Sequence, residues 1–513
     1  MMPAPANPAR RPPARGLPVP RAARIWLFAA LSLAGPLFAQ QEQQPNQTQK
    51  TIAANLFQQF VQAFEKGDYP KAEELLRRQL QIQPDNFVAF YNLACCRAKQ
   101  EDPAGAGEFL VEAVEHGFTD IRHLRNDPTF ANVRDDANYR RIVENWPTLQ
   151  LASLEANLKV QRRLFSKGYH EWRDERLKLA CLSAFDQRSD ETVRAEFNRL
   201  ADWAVANVMP DLLDPALMED DAWVVVVLPS QTDFMKWTAS VYGADALRST
   251  SMIAGSYEHD NKRLVSMDLG STLRHEFFHV LHWRSITRLG RDQPWWVMEG
   301  LCGLVEDYDL LDNGDIVPVP SWRTNTLKRI ERIGKLTPVK DLTGFSQLKF
   351  LGSRVLANYA ASRAVFLYLY QQGKLKDWYA HYSANHFADP TGLKSIEAVT
   401  AMTSKDFDAE FKQWVRQLPS VPEEIKPGMA SLGIEIENGA GDGPVVTGVN
   451  RRPDGYKPDL KPQDIITAID NKPVREMAEL VRVLGGYQPG DTVEVSYRRY
   501  RLYGTTSVQL VKK

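Results

Sequence analysis

Two histidines four residues apart are the clearest sign of chemistry in this chain. Residues 275–279 read His-Glu-Phe-Phe-His inside a breaker-free segment, 273–283, that follows a Gly-Ser-Thr helix start signal. On a helix, His275 and His279 lie one above the other on the same face, so their rings can share one metal ion. The pattern therefore predicts a metal site on a helix.

A site of this kind needs a third protein ligand downstream, because a catalytic zinc ion takes three protein ligands and keeps a fourth position for water. Glu299 lies 20 residues after His279, in a second apolar segment that opens at Pro294. We expect the segment 294–307 to be a helix that brings Glu299 to a Zn²⁺ ion held by His275 and His279.

Glu276 directly follows the first histidine and points beside the metal rather than at it. Zinc lowers the pKa of its bound water towards ~7 and polarises the carbonyl under attack. From this position Glu276 can take the proton of the water and pass it to a leaving amine. The four residues together predict peptide-bond hydrolysis with Glu276 as the general base.

Two other interpretations of these residues remain open. One is an amphipathic helix whose histidines are core residues, and the other is a zinc-binding protein without activity. Because the pair of histidines, the intervening glutamate and the downstream glutamate are all present, the sequence favours an active enzyme.

The spacing of these residues resembles the glutamate-zincin superfamily over residues 170–418. The Trp-Val-Met-Glu-Gly-Leu run at 296–301 and the C-terminal portion make the chain similar to the glycyl aminopeptidase family. That family has a longer insertion between its two metal helices and an N-terminal β-domain, so aminopeptidase activity is not implied. The metzincin pattern needs Gly and His where this chain has His282 and Ser285.

The resemblance implies further site residues. Glutamate-zincins often carry a tyrosine on a later helix, which makes Tyr359 the candidate that steadies the oxyanion; a core or surface role is the alternative. Thermolysin-like enzymes have Asp where this chain has Gly303, so Glu306 could support a ligand instead. The segment 254–257 is placed to pair with an extended substrate, although a purely structural strand explains it equally well.

Hydrophobic patterns predict the elements around the site. Apolar runs at 177–185 and 223–229 predict strands, the second of them covered on both faces. The segments 252–257 and 263–267 predict a hairpin that leads directly into the helix carrying His275.

The residues before this region have a helical pattern with an internal repeat. Within 51–150, Ala72 and Leu76 recur 34 residues later as Ala106 and Leu110. This period resembles tetratricopeptide repeats, whose stacked helix pairs bury a shared face and bind protein partners. A plain helical bundle is the alternative.

The last portion, 428–513, resembles a PDZ domain. The likeness rests on Ser-Leu-Gly-Ile at 431–434, on the run 460–474 and on Pro-Gly-Asp at 489–491. PDZ domains hold a peptide C-terminal carboxylate on a loop and pair the peptide with a neighbouring strand. The residues that match this loop are Leu432, Gly433 and Ile434. Protein or peptide C-termini are therefore the expected partners, and a blocked groove is the alternative.

Composition limits the function and the compartment. With 63 basic and 64 acidic residues, nothing indicates a nucleic-acid binder. Residues 1–39 read as a secretory signal peptide, which predicts a periplasmic or extracellular protein, or a membrane anchor if uncleaved. The four cysteines form no disulfide framework, and we interpret them as buried small apolar residues outside metal-site spacing.

The sequence as a whole predicts a multidomain protein. We expect an α-helical repeat domain at 51–150, an α+β zincin-type catalytic domain at 151–420 and a β-rich PDZ domain at 428–513. The predicted function is that of an exported zinc peptidase whose polypeptide substrates or regulators are recruited by the repeats and the PDZ domain. The alternative is an inactive zincin-fold scaffold that acts as an interaction module.

Overall fold

The computed structural model describes most of the chain from Gln47 to Lys513. The predicted signal peptide, and its alternative as an anchor, lie outside the described residues. Within the described part, no helix is both long enough and apolar enough to cross a membrane. The described ranges are 47–165, 168–214, 221–242, 254–259, 261–285, 293–438, 441–449, 455–500 and 502–513.

The N-terminal region is helical, as expected. The repeated Ala72, Leu76, Ala106 and Leu110 are all buried between neighbouring helices, where small alanine side chains allow close approach. Aspartate or asparagine side chains cap the starts of the second, third and fourth helices. The helices are α1 (Gln47–Glu65), α2 (Tyr69–Leu80), α3 (Phe87–Lys99), α4 (Pro103–Glu115), α5 (Ile121–Asn126), α6 (Ala137–Glu144) and α7 (Trp146–Leu164).

The last of these helices joins two cores. Trp146 at the start of α7 packs in the helical region. Leu154 and Leu158, further along α7, pack against the strands of the following mixed α/β region. The predicted boundary at position 150 therefore falls inside one continuous helix.

A mixed five-stranded sheet organises the central region, in the order β1-β2-β3-β5-β4. The predicted valine-rich strand is present, and its side chains enter two different cores on alternate faces. The predicted hairpin is also present, with β4 antiparallel to β5 and at the edge of the sheet; residues 252–253 of that prediction lie outside the described part. The strands are β1 (His170–Asp174), β2 (Leu179–Ser183), β3 (Trp223–Val227), β4 (Gly255–Glu258) and β5 (Arg263–Ser266).

Three helices build the interior beside β4. α10 (Ser271–Ser285) follows the hairpin, as predicted, and α11 (Trp295–Leu304) and α15 (Val355–Gln371) pack against each other. A Cβ at Gly300 would lie 2.7 Å from Phe366, so glycine permits this close approach. α11 stops three residues short of the predicted end at 307, because the chain turns at Val305.

The other described helices and strands of the central region surround these three. α8 and α9 pack on the sheet, and the later helices enclose α15. They are α8 (Gln187–Asn207), α9 (Gln231–Tyr242), β6 (Tyr308–Leu310), β7 (Ile316–Pro318), α12 (Trp322–Arg332), α13 (Val339–Thr343), α14 (Gln347–Phe350), α16 (Leu375–Asn385), α17 (Leu393–Thr400) and α18 (Ser404–Gln417).

The C-terminal region is rich in β-strands, as expected. Its larger sheet has the order β14-β13-β11-β10-β9, with β12 paired to β11, so that β9 lies at one edge. Gly433 has a φ of +69°, a conformation that favours glycine, and turns the chain into β9. The elements are β8 (Ala430–Ser431), β9 (Glu435–Glu437), β10 (Val445–Gly448), β11 (Ile465–Ile469), β12 (Lys472–Pro473), α19 (Met477–Leu484), β13 (Thr492–Arg499), β14 (Leu502–Gln509) and β15 (Val511–Lys512).

Buried charges join the C-terminal region to the central one. Arg274 on α10 donates to Glu479 on α19 at 2.7 Å and to Glu196 on α8 at 3.3 Å. Arg475 also donates to Glu196, and to the backbone oxygen of Leu269 at 2.6 Å. Because a buried charge without its partner is costly, this network holds the two regions in one relative position.

Candidate metal centre

The two histidines of α10 converge as the spacing predicted. The Nε2 atoms of His275 and His279 lie 3.2 Å apart. Leu273, Phe277 and Leu281 are buried in the core, which fixes the rotation of α10 about its axis. Both imidazole rings therefore face the same small space between α10 and α11.

Glu299 reaches the same space from α11. Its Oε2 atom lies 3.2 Å from His275 Nε2 and 3.9 Å from His279 Nε2. Tetrahedral zinc, with bonds of about 2.0–2.2 Å, separates its ligand atoms by roughly 3.4 Å. The two nitrogens and the carboxylate oxygen thus have the spacing that one zinc ion requires.

A cysteine also lies at this centre. One ligand atom from each of His275, His279 and Cys302 lies within 4.8 Å of the other two, a group that could hold a metal ion. Burial, followed by the nearby Glu299, raises the pKa of the Cys302 thiol well above its ordinary value. Despite burial, the pKa of Glu299 is lowered by its hydrogen bond with His275, whereas that of Cys302 is raised, so the available negative charge favours Glu299 over Cys302 as the third ligand.

The position of Cys302 corrects the expectation that no cysteine lies at metal-site spacing. Cys302 is buried, as expected. However, it follows Glu299 by three residues on α11, and residues three apart share a helix face. That spacing was visible in the sequence and would have identified it.

A carboxylate and an arginine orient the first histidine. His275 Nδ1 donates to Glu306 Oε1 at 2.9 Å, which turns Nε2 towards Glu299 and His279, where it becomes a ligand atom once it loses its proton. Arg323 on α12 pairs with both oxygens of Glu306, at 2.5 and 2.8 Å. Glu306 lies beyond the end of α11, so the turn after the helix brings its carboxylate to His275, and not the helical spacing from Glu299.

The titration of the centre differs from residue to residue. Burial lowers the pKa of His275, but hydrogen bonds with Glu299 and Glu306 outweigh this effect and raise it to about 10. Burial lowers the pKa of His279 to about 4. A proton on His275 therefore neutralises the carboxylates in the absence of a metal, and a metal ion must displace it.

Glu276 lies beside the edge strand β4. A Cβ at Gly255 would be 2.6 Å from Glu276 Cγ and 2.7 Å from its Oε1, so only glycine leaves room for this carboxylate. Burial raises the pKa of Glu276 to about 7, which His275 partly offsets. On the same strand, Tyr257 stacks on the His279 ring with 5.1 Å between ring centroids.

Tyr359 on α15 reaches the centre as well. Its hydroxyl is hydrogen-bonded to Glu299, and burial followed by that carboxylate raises the pKa of Tyr359 well above its ordinary value. The Arg323 guanidinium lies 5.4 Å from the centre of its ring. The structure therefore places Tyr359 beside the ligands in a protonated, hydrogen-donating state.

Sequence reasoning missed Arg323 and the role of Gly255. No sequence motif marks either residue. Arg323 lies 17 residues after Glu306, and Gly255 acts through the absence of a side chain. His282 is a core residue, buried against Tyr379, and burial lowers its pKa to about 3.

The C-terminal region is a PDZ domain, since residues 430–510 match the model of the PDZ domain family. The Leu432, Gly433 and Ile434 segment precedes β9, where such domains place their carboxylate-binding loop. Leu432 and Ile434 turn their side chains into the domain core. The chain as a whole thus combines a helical N-terminal region, a mixed α/β region and a PDZ domain.

Two further comparisons each cover part of the chain. A chloroplastic protein of Arabidopsis thaliana is 25% identical over 112 residues, which are 21% of this chain and 32% of that protein. The match thus spans about a third of that relative. The crystal structure of an aminopeptidase N family protein from Idiomarina loihiensis is 14% identical and covers 67% of each chain with a TM-score of 0.27. A score this low establishes no common fold.

Replacing Gly255 by Ala should displace Glu276 without removing the metal ligands. The added Cβ meets the Glu276 side chain below contact distance, and a shift of about 1 Å can cost roughly 100-fold in turnover. Zinc content and the rate of peptide hydrolysis are the measurements. Gly344→Ala is the matched control, because its Cβ would meet nothing closer than 3.5 Å. Unchanged turnover in Gly255→Ala would contradict this role.

Replacing Glu306 by Gln should weaken metal binding by roughly 10–100-fold, because the charge that orients His275 is lost. Competition with a chromophoric zinc chelator measures this affinity. Glu424→Gln, which removes an exposed carboxylate, serves as the control. Equal zinc affinities in the two variants would show that Glu306 does not support the site.

Proposed function

We propose that this chain is an exported zinc-dependent peptidase that hydrolyses peptide bonds in polypeptide substrates. His275, His279 and Glu299 hold the zinc ion, and Glu276 is the general base. The observation that carries the proposal is the convergence of three acceptor atoms within 3.2–3.9 Å, with the Glu276 carboxylate buried beside them.

The donor set supports zinc. Two imidazoles and one carboxylate form the usual three-residue set of a catalytic zinc site, which leaves a position for water. When bound, zinc supplies a Lewis acid and lowers the pKa of its water towards neutrality. In the metal-free chain, burial raises the pKa of Cys302 and keeps its thiol neutral beside the two histidines.

The remaining residues have separate tasks. Glu276 takes a proton from the attacking water and transfers it to the leaving amine. The Tyr359 hydroxyl donates a hydrogen bond to the oxygen on which negative charge develops. The edge strand β4 pairs with the extended substrate next to Glu276.

Recruitment is assigned to the flanking regions. The loop of Leu432, Gly433 and Ile434 holds the C-terminal carboxylate of a protein or peptide, and the N-terminal helices, similar to tetratricopeptide repeats, bind protein partners. Export, to the periplasm or the extracellular space, follows from the apolar segment within residues 1–39. A zincin-fold scaffold without activity is the competing function.

The Glu276→Gln variant tests the peptidase against the scaffold. We expect wild-type protein to bind about one zinc ion per chain and to cleave peptides in a chelator-sensitive manner, and the variant to retain zinc and lose cleavage. Metal analysis and mass spectrometry of a mixed peptide library measure both properties. Zinc binding without any cleavage by the wild type would identify a scaffold, and absence of zinc binding would overturn the metal site.

Tyr359→Phe should lower kcat with little change in zinc content or KM, because the hydrogen bond to the developing charge is lost while His275, His279 and Glu299 remain as ligands. Loss of one such donor reduces kcat by roughly 100–1,000-fold. Steady-state kinetics on a peptide found in the library screen measures the effect. Tyr370→Phe, on the same helix, is the control. An unchanged kcat would remove Tyr359 from the reaction.

A further inference from the structure

The strand β9 and the helix α19 set the direction in which a peptide lies in the PDZ groove. A peptide held by its C-terminal carboxylate at Gly433 pairs antiparallel with β9, so its upstream residues run towards Asn438. There the Asn438 side chain accepts a hydrogen bond from the backbone N–H of Met477, the first residue of α19, at 3.3 Å. The upstream part of a bound chain therefore leaves the groove at this end.

The same end of the groove lies against the start of the metal-binding helix. The backbone N–H of Leu269 donates to the Gly441 oxygen at 2.7 Å. A Cβ at Gly441 would lie 2.8 Å from the backbone oxygen of Met267. A chain that leaves the groove at Asn438 is therefore directed towards the segment between β5 and α10, which Gly441 contacts.

That segment also contacts the beginning of the edge strand at the metal centre. Met267 donates its backbone N–H to the oxygen of Ala254 at 3.0 Å, and Gly255 next to it adjoins Glu276. Asn438, Gly441, Met267 and Ala254 therefore mark a path from the PDZ groove to β4.

Strand direction is compatible with one continuous substrate. Antiparallel pairing is the more stable arrangement, and β4 already pairs antiparallel with β5. A substrate antiparallel to β4 runs from the Glu258 end to the Gly255 end and leaves at Ala254, heading towards Asn438. It then enters the PDZ groove in the direction that places its C-terminus at Gly433. A substrate parallel to β4 would reach the groove with its N-terminus, which the carboxylate-binding loop does not bind.

The contact between the two regions is rigid enough to set a length. Glu196 lies between Arg274 and Arg475, and all three side chains are at least 94% buried. Arg482 adds a 2.7 Å hydrogen bond from α19 to the backbone oxygen of Tyr308. Since a change of relative position would expose or unpair these charges, the distance between groove and metal centre is fixed.

We propose that the PDZ groove and β4 bind a single polypeptide, so that the enzyme cleaves at a set distance from a free C-terminus. This inference rests on the proposed peptidase function and specifies its substrate class: extended polypeptide tails with a free carboxylate. Since the two regions are held in one relative position, the cleaved bond lies a constant number of extended residues from the C-terminus.

The first experiment uses peptides of one sequence, about 20 residues long, with the full zinc-loaded chain. The set contains a free carboxylate, a C-terminal amide, and free-carboxylate versions with one, two or three Gly or Ser residues inserted before the last four positions. We expect the cleaved bond to keep its distance from the C-terminus and so to move along the sequence with each insertion. The amide should raise KM at least about tenfold with little loss of kcat. Mass spectrometry and steady-state kinetics give both results.

The second experiment compares two glycine variants of the PDZ domain. Gly433 and Gly490 both have positive φ values, +69° and +103°, so valine strains the backbone at each, but only Gly433 lies at the groove. Gly433→Val should raise KM for the carboxylate peptide to the level of the amide, whereas Gly490→Val should not. Fluorescence anisotropy of labelled peptides with the Glu276→Gln chain measures binding without cleavage.

The outcomes separate the two proposals. Cleavage at one sequence position regardless of insertion, with equal KM for carboxylate and amide, overturns the fixed-distance inference and leaves the peptidase intact. Failure of the wild type to cleave any peptide overturns both. If Gly433→Val does not fold, the insertion series and the amide peptide test the fixed cleavage distance without this variant.

Discussion

Three atoms with lone pairs, two imidazole nitrogens and one carboxylate oxygen, face one another in a buried space. This arrangement is stable only when a positive charge lies among them, because burial removes the water that would otherwise screen them. In the metal-free chain a proton on His275 provides that charge. Much of the surrounding structure serves to hold these atoms together in spite of this cost.

The supporting residues are arranged in layers around the centre. Glu306 orients His275, and Arg323 in turn holds Glu306. Arg274 donates to the backbone oxygen of Glu306 at 2.6 Å, so the residue before His275 also positions the carboxylate that orients it. Gly255 lets β4 approach Glu276 on α10, and Gly300 lets α11 approach α15, the helix that carries Tyr359. Both glycines thus help to bring Glu276 and Tyr359 to the candidate metal centre.

Arg274 also links the metal centre to the PDZ domain, through Glu479 and Glu196. A buried ion network gives little net stability compared with apolar packing, but it tolerates few alternative arrangements. Its value here lies in positioning. The proposed binding of one polypeptide by the PDZ groove and β4 requires such positioning, because the cleaved bond keeps its distance from the C-terminus only when their separation does not vary.

The sequence by itself determined what depends on local periodicity: the helix of His275 and His279, the hairpin, the helical N-terminal region, the PDZ segment and two strands. The strands were predicted at 177–185 and 223–229, and the structure has them at 179–183 and 223–227. The place of Glu299 was predicted from its distance along the chain to His279, because α11 follows α10 after a short connection. Tyr359 was predicted only through the resemblance to the glutamate-zincin superfamily.

Only the tertiary structure decided which distant residues complete the centre. Arg323, Gly255 and the Arg274 network act across separate elements, and nothing in local spacing records which helix packs against which. It also decided the end of α11 at Leu304, where a turn and not a helical repeat brings Glu306 to His275. Periodicity specifies which face of an element is buried, whereas the partners of that face depend on the packing of the whole chain.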